Sequence, residues 1–386
     1  MIDNKIMKTY IRPDVLFERG EGVYMYDTDG NAYLDFYSGV AVNALGHNHP
    51  AVVEAIQEQG QKLMHVSNLY WSQPQIDLAN YLIEKSDHDE VFFVNSGTEA
   101  VETAIKLARK HGKKISPTKT EILYLENSFH GRTVGALSLT GQSKYQVDFM
   151  PLMDHAHMVK VNDIEDLKKK FKETTCAIFI EPIQGEGGIK PVDSKFIQAA
   201  RELCNNNDAL LIFDEVQCGI SRIGSFYAHE KIGVTPDIFC LAKGLGGGFP
   251  IGAVIANKKA NVFDPGDHGC TYGGNPLACA VSLAVVQEVG KEDFMNEVSE
   301  KGAYIRKKLT DAIGELPIFK SIEGMGLMLG LHLNGDAKAI TKKAFDEKLI
   351  LITAGQSVIR LIPALNISYE NIDKALDTLI DIIKEQ

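Results

Sequence analysis

Two residues of this chain could carry covalent and acid–base chemistry together: Lys243 and Asp214. Lys243 follows the apolar run Ile238-Phe239-Cys240-Leu241-Ala242 and precedes Gly244-Leu245-Gly246-Gly247-Gly248. The run reads as a buried strand, and the glycines after it read as a loop. An amine at that junction loses hydration, so its pKa falls and it becomes a better nucleophile toward a carbonyl. Asp214 ends a second apolar run, Ala209-Leu210-Leu211-Ile212-Phe213. A lysine in a loop is by default a solvated surface charge. The strand before Lys243, the glycines after it and the matching aspartate set it apart. A lysine for a Schiff base and an aspartate for a pyridinium nitrogen are the two groups that pyridoxal phosphate demands of a protein.

These residues need elements to hold them. Val91-Phe92-Phe93-Val94, Ile122-Leu123-Tyr124-Leu125 and Ala177-Ile178-Phe179-Ile180 are further strand-like runs, with helical spacing over 98–111, 163–172 and 194–205. Strands alternating with helices predict an α/β architecture with a mostly parallel sheet. Ligands of such sheets sit beyond the carboxyl ends of the strands. The segments just past those ends are 95–98, 126–132, 181–186, 214–217 and Lys243, and they hold most of the unusual polar residues. From about residue 275 the pattern changes. A helix over 276–289 leads to strands over 322–331 and 358–362, which predicts a smaller α+β domain. Strand-like 23–26 and 32–36 flank the turn Asp27-Thr28-Asp29-Gly30, a hairpin expected to pack with that domain. The expected division is 1–45 for the N-terminal segment, 46–280 for the large domain and 281–386 for the small one.

Bulk composition excludes several function classes. The chain has 386 residues, 45% hydrophobic and 24% charged, with a net charge of −11. That charge opposes nucleic acid and anionic membrane as partners. No apolar run approaches the ~18 residues of a membrane span. Residues 1–10 lack the apolar core of a signal peptide and the arginines of a transit peptide, so a cytoplasmic protein is expected. Cysteines 176, 204, 218, 240, 270 and 279 form no Cys-x-x-Cys pair and read as reduced core thiols. His47/His49 and His155/His157 have no third ligand at a familiar spacing, so no metal is expected. The glycines after Lys243 do not fit G-x-G-x-x-G and no Walker motif exists, which excludes a nicotinamide dehydrogenase and a P-loop enzyme.

Ser96-Gly97-Thr98 stands between strand and helix, where free N–H groups attract phosphate; the plain alternative is a helix cap on Ser96 or Thr98. With Asn95-Ser96-Gly97-Thr98-Glu99-Ala100, Phe129-His130-Gly131-Arg132-Thr133, Glu181-Pro182-Ile183-Gln184-Gly185-Glu186-Gly187, Phe213-Asp214-Glu215-Val216-Gln217, Leu241-Ala242-Lys243-Gly244, Thr271-Tyr272-Gly273-Gly274-Asn275 and Arg360-Leu361-Ile362-Pro363 in this order, the chain resembles the class III, ornithine/acetylornithine-type, pyridoxal-phosphate aminotransferases over nearly its whole length. The resemblance implies the aspartate-aminotransferase-like fold type I, pyridoxal 5'-phosphate as cofactor and a homodimer with shared sites. It implies that Lys243 bonds the cofactor and moves the substrate proton, and that Asp214 holds the ring nitrogen. Phe129 would stack on the ring, Gln217 would reach its phenolic oxygen, and Gly97 and Thr98 would bind the phosphate. Thr271 would reach the phosphate of the neighbouring subunit.

On the substrate side, the resemblance gives Arg132 the distal carboxylate of glutamate and the α-carboxylate of an acylated ornithine. It gives Arg360 the α-carboxylate of glutamate, with Glu186 covering Arg360 when the ω-amine substrate enters. Tyr37-Ser38-Gly39-Val40-Ala41-Val42-Asn43-Ala44-Leu45-Gly46-His47 is most similar to acetylornithine aminotransferases. Ornithine δ-aminotransferases place a tyrosine near Gly39 or Val40, where this chain has small or aliphatic residues. The implied reaction converts N-acetylornithine and 2-oxoglutarate to N-acetylglutamate 5-semialdehyde and glutamate, a step of arginine biosynthesis. Succinylornithine, ornithine and 4-aminobutyrate stay open as donors, as does an aminomutase or racemase activity.

Overall fold

The structure is a computed structural model and describes residues 5–385; the first four residues of the stretch read for a leader lie outside it. A seven-stranded sheet forms the centre, in the order Glu90–Val94, Gly252–Ala256, Ile238–Leu241, Leu210–Asp214, Thr175–Ile180, Glu121–Leu125, Ala156–Val159. Six strands run the same way, and Gly252–Ala256 runs against both neighbours. That strand and Ala156–Val159 are absent from the sequence reading. Gly252–Ala256 emerges from a glycine-rich loop, and Ala156–Val159 carries His157 in only four residues.

Side chains alternate faces along a strand, and the sheet obeys this. Ile122, Tyr124, Phe179, Leu210, Ile212, Ile238 and Cys240 bury against the helix Gly97–Ile115. Leu123, Leu125, Ile178, Ile180, Leu211, Phe213 and Phe239 face the other way, into a core shared with the helices Ser194–Asn206 and Pro276–Val289. Thr175–Ile180 and Leu210–Asp214 are buried at every position, as central parallel strands covered on both faces must be. The helix Gly97–Ile115 buries Ala100, Val101, Ala104, Ile105, Leu107 and Ala108, the three-to-four-residue spacing of one helix face.

The C-terminal part is a four-stranded antiparallel sheet, Phe319–Met325, Met328–Leu333, Val358–Leu361, Ile352–Thr353. The helix Glu292–Ile313 packs on its first strand and on the last helix, Tyr369–Lys384. The expected single strand over 322–331 is instead a hairpin turning at Gly326-Leu327. Gly326 has φ +52, and a Cβ there would lie 2.6 Å from the Ile223 backbone, so glycine alone fits the turn. At the other end of the chain, Phe17–Glu21, Tyr24–Asp27 and Ala32–Asp35 form an antiparallel ribbon. Leu349–Ile350 joins it, parallel to Ala32–Asp35. The N-terminal ribbon is thereby tied to the C-terminal part through backbone hydrogen bonds.

After the ribbon the chain makes a turn in which Ser38, Gly39, Val40 and Ala41 all have positive φ. A β-branched residue such as Val40 rarely accepts this. The surroundings force it. Asp35 Oδ1 accepts the Tyr37 and Ser38 N–H groups at 3.0 and 2.8 Å. Ser38 Oγ donates to the Ile362 carbonyl at 2.6 Å. His47 Nε2 holds Asp35 Oδ2 at 2.9 Å, which accounts for one of the histidines set aside as metal ligands. Among the described residues no group of three or more His, Cys, Asp or Glu stands close enough to hold a metal. Five of the six cysteines are buried. Cys270 departs from the core-thiol reading: it is half-buried in a loop, and Asn95 Nδ2 donates to its Sγ at 3.1 Å.

Candidate active site

A cavity of about 440 Å³ opens at the carboxyl edge of the parallel strands, within the size range of small-molecule sites. Every strand-end segment singled out from the sequence contributes to it: Asn95 to Thr98, Phe129 to Arg132, Glu181 with Glu186, Asp214 with Gln217, and Lys243. Gly248 to Ile251 complete the wall. They do so because Gly252–Ala256 runs backwards, so that its beginning lies at the edge where its neighbours end.

Lys243 is half-buried, at the start of a single helical turn after Ile238–Leu241. Its φ is +46, a conformation that non-glycine residues hold only when neighbours over-determine it. Among the described residues no hydrogen bond or ion pair engages its Nζ. Desolvation pulls its pKa below the usual lysine value. The charges of Asp214 and Glu186 oppose that pull, and Arg360 adds to it.

Asp214 is buried and fixed at both oxygens. Oδ1 accepts the Val216 N–H at 3.1 Å, and Oδ2 meets His130 Nδ1 at 2.7 Å. Burial alone would lower the pKa of His130, but its bond to Asp214 and the charges of Asp214 and Glu181 raise it instead. Glu181 accepts the N–H groups of Phe129 and Gly185 at 2.8 and 3.0 Å. Burial raises its pKa to about 7. His130 and Glu181 were quoted in the sequence motifs without a role. The structure makes them the support of Asp214 and of the Phe129 backbone.

Ser96 caps the helix Gly97–Ile115, its Oγ accepting the Glu99 N–H at 3.3 Å. The Glu99 carboxylate in turn accepts the Asn95 N–H at 2.7 Å. The N–H groups of Gly97 and Thr98, ahead of Glu99, have no acceptor within the helix and stand at the positive end of its dipole, so the cap on Ser96 is present and leaves two donors facing the cavity edge. A Cβ on Gly97 would lie 2.8 Å from Val216 Cγ1. Thr98 Oγ1 lies 2.9 Å from Thr133 Oγ1. Among the described residues Gln217 Oε1 is buried without a partner.

The two arginines differ. Arg360 is buried on the strand Val358–Leu361; Nη1 meets Glu186 Oε1 at 2.5 Å and Nη2 donates to the Thr353 carbonyl at 3.1 Å. Glu186 brings this pair to the cavity from 174 residues away. Arg132 is exposed, lies over the Tyr145 ring at 4.0 Å and 5.5 Å from the Phe129 centroid, and has no carboxylate partner among the described residues. Thr271 is exposed on a loop and does not line this cavity.

Comparison with known proteins agrees with this geometry. Residues 7–383 match the family model of class-III aminotransferases. The chain is 52% identical to the acetylornithine aminotransferase of Clostridium acetobutylicum, covering 100% of both chains. The chain belongs to the class-III aminotransferases. A second relative of this aminotransferase, the acetylornithine aminotransferase of Aquifex aeolicus, is 46% identical over 98% of this chain and 99% of that one. Among solved structures, the ornithine aminotransferase of Toxoplasma gondii superposes with a TM-score of 0.93 at 30% identity, over 99% and 94% of the two chains. The N-acetylornithine aminotransferase of Stenotrophomonas maltophilia gives 0.85 at 36%, over 97% and 96%. Backbone shape therefore follows the family, while identity tracks the acetylornithine members.

The fold is fold type I and the cofactor of this class-III aminotransferase is pyridoxal 5'-phosphate. Three observations show that the cavity suits it. Among the described residues a lysine amine stands without a partner, the helix start offers N–H groups for a phosphate, and the unpartnered Gln217 Oε1 lines the wall. Among the described residues no helix is long and apolar enough to cross a membrane.

Proposed function

We propose that this enzyme transfers the ω-amino group of N-acetylornithine to 2-oxoglutarate, giving N-acetylglutamate 5-semialdehyde and glutamate, as a step of arginine biosynthesis. The observation that carries the reading is the pair of arginines around Lys243, one covered by Glu186 and one open. A transaminase with two donors of different shape needs such a pair. An aminomutase or racemase needs no second donor and no covered arginine. Supporting the acylated substrate are the acetylornithine relatives and the small or aliphatic residues Gly39 and Val40.

The cofactor, when bound, supplies an electron sink for charge at the amine-bearing carbon. Lys243 would hold it and would move the proton at that carbon, a task its lowered pKa suits. Asp214, backed by His130, would keep a proton on the ring nitrogen. Phe129 would flank the ring and Gln217 would meet its phenolic oxygen, while Gly97 and Thr98 would hold the phosphate. Arg132 takes the carboxylate common to both donors with a planar fork. Arg360 takes the α-carboxylate of glutamate after Glu186 withdraws. With the acylated donor bound, Glu186 stays in place, because an uncovered buried guanidinium is costly.

We further infer a homodimer. Met64, Leu69, Tyr70, Trp71 and Tyr272 are exposed apolar side chains. Asn68 Nδ2 ties their two loops together through the Cys270 and Gly273 carbonyls, each at 2.9 Å. A second copy on this surface would bury them and bring Thr271 to the phosphate of its neighbour. Free cysteines suit a reducing, cytoplasmic setting. The deciding experiment assays a panel of ω-amino donors with 2-oxoglutarate. N-acetylornithine should give the highest kcat/KM and consume 2-oxoglutarate stoichiometrically. Higher efficiency with free ornithine or 4-aminobutyrate, or turnover without 2-oxoglutarate, would refute the reading.

A further inference from the structure

Arg132 stands on a wall common to two spaces. One is the cavity that holds Lys243; the other is a groove of about 390 Å³. Val134, Leu137, Tyr145 and Phe149 line the groove, with Thr9 and Tyr10 completing it, and among the described residues Arg132 is the single charged side chain on its wall. Val134 and Phe149 are each 62% exposed, apolar surface that the described residues leave uncovered. A donor whose ω-amine reaches Lys243 and whose α-carboxylate lies on Arg132 has its α-carbon one bond from that carboxylate. Any substituent on the α-nitrogen therefore leaves the substrate beside Arg132.

We propose that this groove is the acyl subsite of the enzyme, an inference that rests on the acylated-ornithine reading above. A small uncharged amide suits it: the acyl methyl meets Val134, Leu137 and Phe149, and no counter-ion is required. A free α-ammonium does not suit it, because it would face the Arg132 guanidinium and find no carboxylate. Rejection of free ornithine then comes from the groove as well as from what is absent at Gly39 and Val40. Glutamate carries nothing beyond the carboxylate on Arg132, so the groove acts in one half-reaction and not in the other.

That asymmetry is the test. Val134 opens the short helix Val134–Ser138 and points apolar surface outward, so Val134→Trp fills the groove from an exposed position. Single-turnover rates with N-acetylornithine and with glutamate, measured on the same holoenzyme, should show their ratio falling about tenfold or more, since changes of this size in an apolar pocket are worth that much. The loss should lie mainly in the apparent affinity for N-acetylornithine. Phe149→Ala opens the groove and gives an independent arm: the rate with N-benzoylornithine relative to N-acetylornithine should rise about tenfold. An active wild type whose ratios move in neither variant overturns the subsite alone. A wild type inactive with N-acetylornithine overturns the substrate reading and the subsite with it.

Discussion

Arg132 and Arg360 are both expected to bind carboxylates, yet the fold treats them in opposite ways. Arg360 sits on a strand, 2% exposed, held by Glu186 and a backbone carbonyl. Arg132 sits on a loop, exposed, positioned by the faces of Tyr145 and Phe129. A ring face orients a guanidinium without satisfying its N–H donors, so Arg132 is always ready for an anion. Glu186 uses up one side of the Arg360 fork, so Arg360 is ready only after a side chain moves. On the function proposed above, one chain would thus hold a constant carboxylate site and a conditional one.

The largest test of that contrast removes the group both sites serve. Lys243→Ala should abolish turnover with either donor, while phosphate contacts still retain cofactor. Steady-state turnover near the wild-type value would end the assignment. The contrast itself is tested next, at each arginine. Losing one partner of a buried, hydrogen-bonded charge pair costs roughly 2–5 kcal/mol. At ~1.4 kcal/mol per tenfold, Arg360→Ala should lower kcat/KM for glutamate about 30-fold to several thousand-fold and spare N-acetylornithine. Arg132→Ala, at an exposed site, should lower kcat/KM for both donors by a smaller factor, about tenfold. Matching profiles for the two variants would erase the distinction drawn here.

A smaller effect is expected at Glu186. Glu186→Ala leaves Arg360 uncovered, so glutamate displaces nothing when it binds. The single-turnover rate ratio of glutamate to N-acetylornithine should rise severalfold, about the worth of a partly exposed ion pair. A ratio unchanged or shifted the other way removes the switch. The smallest effect is a pH shift. Glu186 raises the pKa of Lys243 and Arg360 lowers it. Glu186→Gln removes the first and unmasks the second, so both changes push the lysine pKa down. Reconstitution of cofactor-free enzyme needs the neutral amine. Its rate, followed by visible absorbance, should rise with pH to a plateau and reach its midpoint at lower pH in the variant. A midpoint moved upward would contradict the electrostatics.

Residues chained to local pattern were legible beforehand. Lys243 and Asp214 stand where apolar runs stop, and strand ends of a parallel sheet converge on one edge. The Ser96 cap is a local motif of the same kind. Glu186 and Arg360 carry no local signal: separated by 174 residues, each alone is a surface charge, and a family resemblance alone linked them. Gly252–Ala256 was missed because direction in a sheet leaves no trace in composition. The support of Asp214 by His130 was hidden because a histidine beside a phenylalanine reads equally well as core. The left-handed turn at Ser38–Ala41 has one glycine in four positions, too few to announce itself.

That turn also sets an order of events. Ser38 is bonded to Ile362, 324 residues later, and the ribbon strand Ala32–Asp35 waits for Leu349–Ile350. Contacts this distant in sequence form late, because a long loop must close before they repay it. During synthesis the first strands leave the ribosome with an open edge, while Lys243 and the parallel sheet can assemble behind them. The strand carrying Arg360 pairs within the C-terminal sheet, but Ile362 just beyond it is tied to Phe36 and Ser38 only when the two ends of the chain meet. Cofactor chemistry could thus be in place before glutamate recognition is, and a chain stopped short of residue 349 would lack the partner strand for its own beginning.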